Sequence, residues 1–404
     1  MSSVKIGISE AVGGGVRGNK RIVLTHSYDA IISLENLCLA WQEFIRGKRN
    51  KRDVQEFGYR LMNNIIALHE DLANKTYQHG GYHSFRICDP KPRHIHKASV
   101  RDRLLHHAIY RILYPFFDRT FTADSFSCRD DKGTHKALNR LSAMAYKVSC
   151  NHTRTCFVLK CDIRKFFASI EHAHLLGILQ KYIPDQDIIW LLGQVVRSFH
   201  TPASICHARP DRASSLDPRF REDDAWDEDK TRRVGLPLGN LTSQLFANVY
   251  MNEFDHFVKH RIKAKHYIRY ADDFVILHED RQWLETQISS VEKFLQERLR
   301  LQLHPDKVTI KTFASGIDFL GWVHFTDHRV LRSTTRRRMM RRLRAHPAQE
   351  TLQSYLGLLR HGNTFTIEQQ VRMLHWLWGS DTLKAIYDLQ HRRNYFKVSR
   401  YWGA

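Results

Sequence analysis

The sequence predicts an α+β fold from two strand patterns and several helical ones. In residues 266–277, HYIRYADDFVIL, two apolar, β-prone runs meet at the adjacent carboxylates Asp272 and Asp273. This pattern is typical of a hairpin with an acidic tip. In residues 157–170, FVLKCDIRKFFASI, a run of buried type ends at Asp162. Apolar residues recur at helical spacing before, between and after these strands.

The composition is globular and strongly basic. Hydrophobic residues are 42% and charged residues 26% of the 404, and 63 Lys and Arg against 42 Asp and Glu give a net charge of +21. This charge favours a polyanion, best a nucleic acid, as the partner. Anionic lipid is the alternative, but no apolar run approaches the ~20 residues of a membrane span. Seven cysteines without CxxC pairs, and no signal-peptide pattern, predict a cytoplasmic location and no membrane partner.

The acidic residues point to metal chemistry. Two adjacent carboxylates repel each other unless a cation neutralises them, although a solvated Asp-Asp turn is the simpler alternative. Asp162 supplies a second acidic strand end. Three carboxylates from two strand ends can hold two Mg²⁺ ions, which clamp the attacking and leaving oxygens of a phosphoryl transfer.

The order of these motifs resembles a known family. The strand ending at Asp162, the segment GLPLGNLTSQ at 235–244 and YADD at 270–273 are similar to the palm of reverse transcriptases. The likeness is greatest to the bacterial group that includes diversity-generating retroelement enzymes and their defence-associated relatives. It implies a right-hand polymerase fold with fingers, a palm bearing an antiparallel sheet, and a helical thumb. It also implies that Asp162 and Asp272 bind both Mg²⁺ ions, supported by Asp273.

The resemblance, which extends from about Ser84 to Gly321, also implies a division of the chain. The predicted parts are a flexible leader (1–27), an N-terminal helical region (28–83), fingers (84–156), a palm (157–325) and a basic helical thumb (326–404). Residues 202–230 are rich in Pro, Ser and both signs of charge, which predicts an exposed insertion in the palm. A passive insertion is the simpler interpretation, and a docking loop is the alternative.

Three further positions match nucleotide-binding motifs of the family. The arginine of a KPR-type strand, here Arg93, is implied to contact the incoming triphosphate, and its planar fork suits phosphate oxygens. Gly239 and Gln244 belong to the turn and helix start that lie under the nascent base pair in the family. Leu238 and Gln244 depart from the common retroviral and intron-type pattern and match the diversity-generating and related bacterial groups.

Two residues are implied to act close to the chemistry. Phe167 follows Asp162 at the position of an aromatic steric gate that excludes a 2′-hydroxyl. The alternative is that Phe167 belongs to the core and Phe166 faces the site, since adjacent strand residues point opposite ways. Lys307 matches a lysine that protonates departing pyrophosphate, with an ordinary surface lysine as the alternative.

Basic residues predict contacts with nucleic acid. Arg129 lies in the finger motif SFSCRDDKGTHKAL and is either structural or template-binding. Residues 328–346, HRVLRSTTRRRMMRRLRAH, contain eight arginines and no acid. Met339, Met340 and Leu343 give this helix one apolar face. The arginines predicted to track phosphates are Arg336, Arg337, Arg338, Arg341 and Arg342.

Together these observations predict an RNA-directed DNA polymerase that makes cDNA by two-metal nucleotidyl transfer. The expected partners are an RNA template or noncoding RNA, a DNA or RNA primer, dNTPs, and an accessory protein or a second copy of the chain. The expected role is in a diversity-generating retroelement or in antiphage defence. The alternatives are an RNA-dependent RNA polymerase and a catalytically idle nucleic-acid-binding scaffold.

Overall fold

The computed structural model of the chain describes residues 22–88, 92–201 and 233–379. The predicted insertion at 202–230 lies outside these stretches, as do residues 1–21 of the predicted leader. Near the end of that leader, Leu24 is buried and its backbone N–H donates to the carbonyl of Tyr182 at 2.8 Å.

Helices form most of the first part of the chain. They are α1 (Tyr28–Ile32), α2 (Leu34–Phe44), α3 (Arg52–Tyr59), α4 (Leu61–Ala73) and α5 (Val100–Asp118). Helix α2 begins where the Ser33 hydroxyl accepts a hydrogen bond from the Asn36 backbone N–H at 3.2 Å, an N-cap. Its residues Leu37, Trp41 and Phe44 are buried at helical spacing and pack towards α5.

A two-stranded antiparallel sheet lies between α4 and α5. Its strands are β1 (Tyr82–Ile87) and β2 (Arg93–Ala98). Phe85 lies opposite Ile95 in the register. The backbone N–H of His96 in β2 donates to the Leu238 carbonyl at 3.0 Å. This small sheet is therefore joined to the Gly-rich loop that precedes the helix Leu241–His256.

The central sheet has four antiparallel strands in the order β4-β5-β3-β6. They are β3 (Phe157–Asp162), β4 (His266–Tyr270), β5 (Asp273–His278) and β6 (Thr309–Thr312). Successive side chains of a strand point to opposite faces. Accordingly, Phe274 and Ile276 of β5 join one hydrophobic core, and Val275 and Leu277 join a second. The sheet separates these two cores.

Helices cover both faces of the central sheet. They are α6 (Thr134–Val148), α7 (Phe166–Ser169), α8 (His172–Gln180), α9 (Gln186–Arg197), α10 (Leu241–His256) and α11 (Arg281–Leu299). Leu245 of α10 and Leu295 of α11 pack in the core with Phe274. Leu141 of α6 packs in the core with Val275.

The second core continues into the C-terminal part of the described chain. Its elements are the antiparallel strands β7 (Ile317–Phe319), β8 (Trp322–His324) and β9 (Arg329–Leu331), and the helices α12 (Ser333–Ala345), α13 (Gln349–Leu359) and α14 (Phe365–Gly379). Trp322 is almost fully buried and packs in this core with Met339 and Leu343 of α12. The apolar face predicted for the arginine-rich helix therefore lies against the second core.

The predicted α+β fold, with an antiparallel central sheet and a helical C-terminal region, is confirmed. Within the described stretches, no helix has the length and apolar character needed to cross a membrane.

Candidate active site

The three predicted aspartates meet at one end of the central sheet. Asp162 ends β3 and lies opposite Asp273, the first residue of β5. Tyr270 also pairs with Asp273 and closes the β4–β5 hairpin, so that Ala271 and Asp272 form its tip. Strand pairing, rather than proximity in sequence, brings Asp162 to the other two carboxylates.

Asp272, at the hairpin tip, has a perturbed pKa. Burial, followed by the charges of Asp273 and Asp162, raises its pKa to about 6, and only Lys307 and a backbone hydrogen bond act in the other direction. A carboxyl in such surroundings favours a proton or a cation as a neutralising partner. The hairpin tip therefore carries an excess of negative charge.

Lys307 is brought to the aspartates, as the sequence predicts. It lies in a single 3₁₀ turn, Pro305–Lys307, and its Nζ donates to Oδ1 of Asp162 at 2.9 Å. The backbone N–H of His304 donates to the Asp162 carbonyl at 2.8 Å and fixes this turn beside β3. The Lys307 side chain is 42% exposed, so the ion pair itself contributes only about 0–1 kcal/mol to stability.

The donor set of this site fits a hard divalent cation. All three carboxylates offer oxygen ligands, which Mg²⁺ prefers, and the Lys307 ammonium already occupies a cation position beside Asp162. Across the described residues, no three His, Cys, Asp or Glu side chains are already arranged to hold a metal ion. A bound cation would neutralise the negative charge that, together with burial, raises the pKa of Asp272.

Phe166 and Phe167 begin a short helix rather than continuing a strand. Lys165 has φ 45°, and this left-handed residue turns the chain into α7. Phe166 is 2% exposed and belongs to the core, whereas Phe167 is partly buried. Strand alternation does not apply to these two helical residues, whose rings pack edge to face with their centroids 5.3 Å apart. The alternative assignment, with Phe166 facing the site, is disfavoured by its burial.

The Gly-rich loop lies between this turn and the small sheet. The backbone N–H of Leu236 donates to the Phe167 carbonyl at 2.8 Å. Gly239 has φ 107°, and a Cβ at this position would lie 2.9 Å from Cγ2 of Ile95 in β2, so glycine is required there. Gln244 follows in the first turn of α10 and is partly buried. The hydrogen bond from Leu236 thus joins Phe167 to the loop that contains Gly239.

Asn240 holds the same loop against β2. It occupies the N-cap position of α10, but its side-chain amide donates to the His96 carbonyl at 3.1 Å instead of capping the helix. Its buried Oδ1 has no hydrogen-bond partner within the described parts of the chain.

Arg93 lies in a cleft with the arginine-rich helix. The cleft has a volume of about 1020 Å³ and is lined by Arg93 of β2, Trp322 of β8, and Arg338, Arg341 and Arg342 of α12, among others. The three aspartates are not among its described lining residues. The structure therefore groups Arg93 with basic residues of α12.

Four of the five predicted arginines of α12 are exposed at the surface. Arg336, Arg337, Arg341 and Arg342 are exposed and Arg338 is partly buried. Arg336 donates to Oε1 of Gln370 in α14 at 2.9 Å. Met339 and Leu343 are buried on the opposite face, so the helix presents its charge to solvent.

Arg129 is held inside the protein, which favours the structural one of its two predicted roles. Its side chain is only 5% exposed and pairs with Oδ1 of Asp118 at 2.6 Å. The guanidinium also donates to the carbonyls of Thr122, Ser125 and Asp118 at 2.7, 3.0 and 3.1 Å. The guanidinium of Arg129 therefore finds its hydrogen-bond acceptors within the protein, because several loop carbonyls point towards it.

Sequence reasoning missed the buried ion pair between Arg269 and Asp255, which lies beside the hairpin tip. Two features of the sequence could have indicated this pair: an arginine inside the apolar run HYIRY and an aspartate in a mostly apolar helix. Charged residues at such positions are buried only when they are paired.

The chain is similar in sequence to proteins from two bacteria. Protein YkfC of Escherichia coli K12 is 22% identical over 330 residues, covering 72% of this chain and 77% of that protein. The group II intron-encoded protein LtrA of Lactococcus lactis subsp. cremoris is 23% identical over 313 residues, covering 61% of this chain and 46% of LtrA.

A solved structure, telomerase from Candida albicans in complex with a fragment of telomeric RNA, aligns with 71% of this chain and 55% of that chain. Its TM-score is 0.40 and its sequence identity is 12%.

A family comparison matches residues 88–324, more than half of the sequence, to the family described as reverse transcriptase (RNA-dependent DNA polymerase). The chain belongs to the reverse transcriptase family.

Proposed function

We propose that this chain copies an RNA template into DNA by two-metal nucleotidyl transfer, extending a DNA or RNA primer with dNTPs. The observation that supports this most directly is the acidic hairpin tip. Asp162 and Asp273 are paired across β3 and β5, and the raised pKa of Asp272 indicates negative charge that a cation would neutralise.

Within this proposal, Asp162 and Asp272 hold both Mg²⁺ ions and Asp273 supports the site. Bound Mg²⁺ would lower the pKa of the primer 3′-hydroxyl and neutralise charge on the triphosphate. Lys307 would donate a proton to departing pyrophosphate, and its Nζ, 2.9 Å from Oδ1 of Asp162, supports this role. This chain's own contribution is mainly positioning and charge.

The loop of the Gly-rich motif completes the proposed nucleotide site. Phe167 closes the space beneath the incoming sugar, and Gly239 allows the backbone to approach closely because it has no side chain. Gln244, in the first turn of α10, lies beneath the nascent base pair in this proposal. Arg93 contacts the triphosphate or the neighbouring nucleic acid, since it lines a cleft shared with α12.

Nucleic acid is proposed to lie along α12. Arg336, Arg337, Arg341 and Arg342 are exposed on one helix, and the chain as a whole carries a net charge of +21. Such a surface binds the phosphate backbone without regard to sequence. The proposed ligands are the RNA template or a noncoding RNA together with the primer strand.

The biological role that we propose is in a retroelement. One relative is an intron-encoded protein, and the variant motif with Leu238 and Gln244 favours a diversity-generating element. The same variant favours antiphage defence as the second candidate. We propose that the chain acts in the cytoplasm, with an accessory protein or a second copy as a further partner. Sequencing the RNA and cDNA that copurify with the protein separates these roles.

Primer extension on a defined RNA template tests the activity itself. The purified chain should extend the primer with dNTPs in the presence of Mg²⁺ and should use ribonucleotides poorly. Equal use of ribonucleotides would indicate an RNA polymerase. Binding of the template and primer without any extension would indicate a nucleic-acid-binding scaffold.

A further inference from the structure

A buried ion pair lies directly behind the acidic hairpin. Arg269, in β4, and Asp255, in α10, have fully buried side chains, each 0% exposed. Two charges removed from water are tolerated only when their hydrogen bonds are satisfied. The partners of Arg269 therefore show what the pair does.

All five N–H donors of the Arg269 guanidinium have an acceptor. Nε and Nη2 donate to the two carboxylate oxygens of Asp255, each at 2.7 Å. Nη2 also donates to the Ser125 hydroxyl at 2.9 Å. Nη1 donates to Oδ1 of Asn248 at 3.2 Å and to the carbonyl of Ala271 at 3.1 Å. One side chain thus joins α10, the loop around Ser125 and the hairpin tip.

The backbone of Arg269 is held by the same loop. Its N–H donates to the Asp124 carbonyl at 3.0 Å, and its carbonyl accepts from the Phe126 N–H at 3.0 Å. The Tyr267 hydroxyl donates to Oδ1 of Asp255 at 2.6 Å and further fixes that carboxylate. Strand β4 is therefore fixed on the side away from β5.

The bond to Ala271 is the one that reaches the proposed active site. Ala271 has φ 56°, in the left-handed region, which a residue with a Cβ occupies when its surroundings hold it there. Its carbonyl belongs to the peptide group that carries the backbone nitrogen of Asp272. The orientation of that peptide sets the direction in which the Asp272 carboxylate leaves the chain.

We propose that Arg269 is a positioning residue, which acts through the Ala271 carbonyl to hold the Asp272 carboxylate in the direction required to bind a divalent cation. This inference rests on the proposed function of the acidic tip. Arginine is required because a lysine is a point charge that cannot serve Asp255, Asn248, Ser125 and Ala271 together in the fixed geometry of a planar fork.

Arg269→Lys tests this role, with readouts that do not depend on catalysis. Hydrogen exchange of the metal-free protein should become faster in the peptide covering residues 266–277. Mn²⁺ binding, followed by the electron paramagnetic resonance of free Mn²⁺, should weaken about 10- to 100-fold, the effect expected on removal of a group that orients a ligand. The Mg²⁺ concentration for half-maximal primer extension should rise by the same factor.

Arg111→Lys is the matched control. Arg111, in α5, donates to Oδ1 of Asn36 at 3.1 Å and pairs with Glu43, and has no hydrogen bond to the hairpin in the described part of the chain. This variant should leave exchange in residues 266–277 and the Mn²⁺ affinity unchanged. Thermal unfolding of both variants shows whether each is folded under the conditions of the test.

If Arg269→Lys does not fold, Asn248→Ala decides the question, because it removes an acceptor from Nη1, the nitrogen that also donates to Ala271. Asn248→Ala should also make hydrogen exchange faster in residues 266–277 and weaken Mn²⁺ binding, but by less than Arg269→Lys. A folded variant with unchanged exchange and Mn²⁺ affinity overturns the positioning role. A wild type that binds no Mn²⁺ and extends no primer contradicts the proposed function instead, so the two failures are distinguishable.

Discussion

Asp272 shows how a single residue combines the features of the site. It lies at a hairpin tip, next to Asp273 in sequence and near Asp162 through strand pairing. These two charges and its burial raise its pKa to about 6. The adjacency of the carboxylates could be predicted from sequence, because it needs only a hairpin and a second strand ending in aspartate. The size of the pKa shift of Asp272 could not be predicted from sequence, because it depends on how deeply the carboxyl is buried.

Phe167 carries the prediction about sugar choice. Replacing it with alanine should remove the ring proposed to collide with a 2′-hydroxyl, while the buried Phe166 maintains the core. In single-nucleotide primer extension, the preference of Phe167→Ala for dNTPs over ribonucleotides, as a ratio of kcat/KM values, should fall at least about tenfold. Some DNA synthesis should remain.

Phe166→Leu is the control for this experiment. It changes the neighbouring aromatic ring within the core and should keep the wild-type preference for dNTPs. A Phe167→Ala enzyme that discriminates as well as the wild type would show that this residue is not the gate.

His324 gives a prediction about pH. It is fully buried, its Nδ1 lies 3.2 Å from the Ser142 hydroxyl, and burial lowers its pKa to about 4, with Arg329 as a smaller cause. The unfolded chain binds a proton at this histidine below about pH 6.5. The contribution of His324 to the free energy of unfolding is therefore fully present above that pH. It is lost as the pH falls towards 4. At pH 5 the loss should be about 2 kcal/mol relative to pH 7.

Urea unfolding of wild type and His324→Gln at pH 7 and pH 5 measures this contribution. The other titrating groups are common to both proteins, so the difference between their pH dependences isolates His324. Equal losses of stability in the two proteins would contradict the lowered pKa.

At the scale of elements, strands and long helices were easier to predict than the segments that join them. The strand ending at Asp162 and the buried face of the arginine-rich helix follow from local hydrophobic patterns. The short helix at Phe166 depends on left-handed Lys165 and on a bond from Leu236, which is far away in sequence. Distant partners of this kind leave no local pattern.

Helix α12 carries the prediction about nucleic acid. Changing Arg336, Arg337 and Arg341 to glutamate should weaken RNA binding and flatten its dependence on salt, because fewer counterions are released. The slope of log K against log salt concentration should fall by about 0.7 to 0.9 for each lost phosphate contact. Filter binding or fluorescence anisotropy between 50 and 200 mM salt, roughly the range over which such slopes are usually compared, measures this slope.

The matched control changes Arg46, Arg49 and Arg60 to glutamate, since these exposed residues lie in the N-terminal helical region. The net charge of the protein changes equally in both triple variants. A salt slope that falls by the same amount in both would show that overall charge, rather than α12, determines binding.

At the scale of the whole molecule, the sequence predicted the class of the protein correctly. The family match confirms a reverse transcriptase with the right-hand polymerase fold of fingers, palm and thumb. The domain boundaries stay predictions, and the placement in the diversity-generating or defence-associated groups stays a proposal. The cleft shared by Arg93 and α12 could not be predicted, because it forms between parts of the chain that are far apart in sequence.

For the same reason, the sequence leaves both predicted roles of Arg129 open. Its fork is satisfied by Asp118 and by loop carbonyls, and sequence alone does not show where carbonyl oxygens converge. A basic residue in such a motif can contact a phosphate, or it can hold a loop together by hydrogen bonds to backbone carbonyls. Only the fold distinguishes the two roles.

The central claim is that the acidic tip is a catalytic cation site, and Asp272→Asn tests it most directly. The substitution removes a proposed ligand without changing the arginines of α12. Asp306→Asn is the control, because Asp306 is exposed and its substitution changes the net charge equally in the turn that carries Lys307. Primer extension on an RNA template is measured with Mg²⁺, beside binding of the same template and primer. We expect Asp272→Asn to bind normally and to lose extension, and Asp306→Asn to retain both, whereas extension by Asp272→Asn at the wild-type rate would contradict the account.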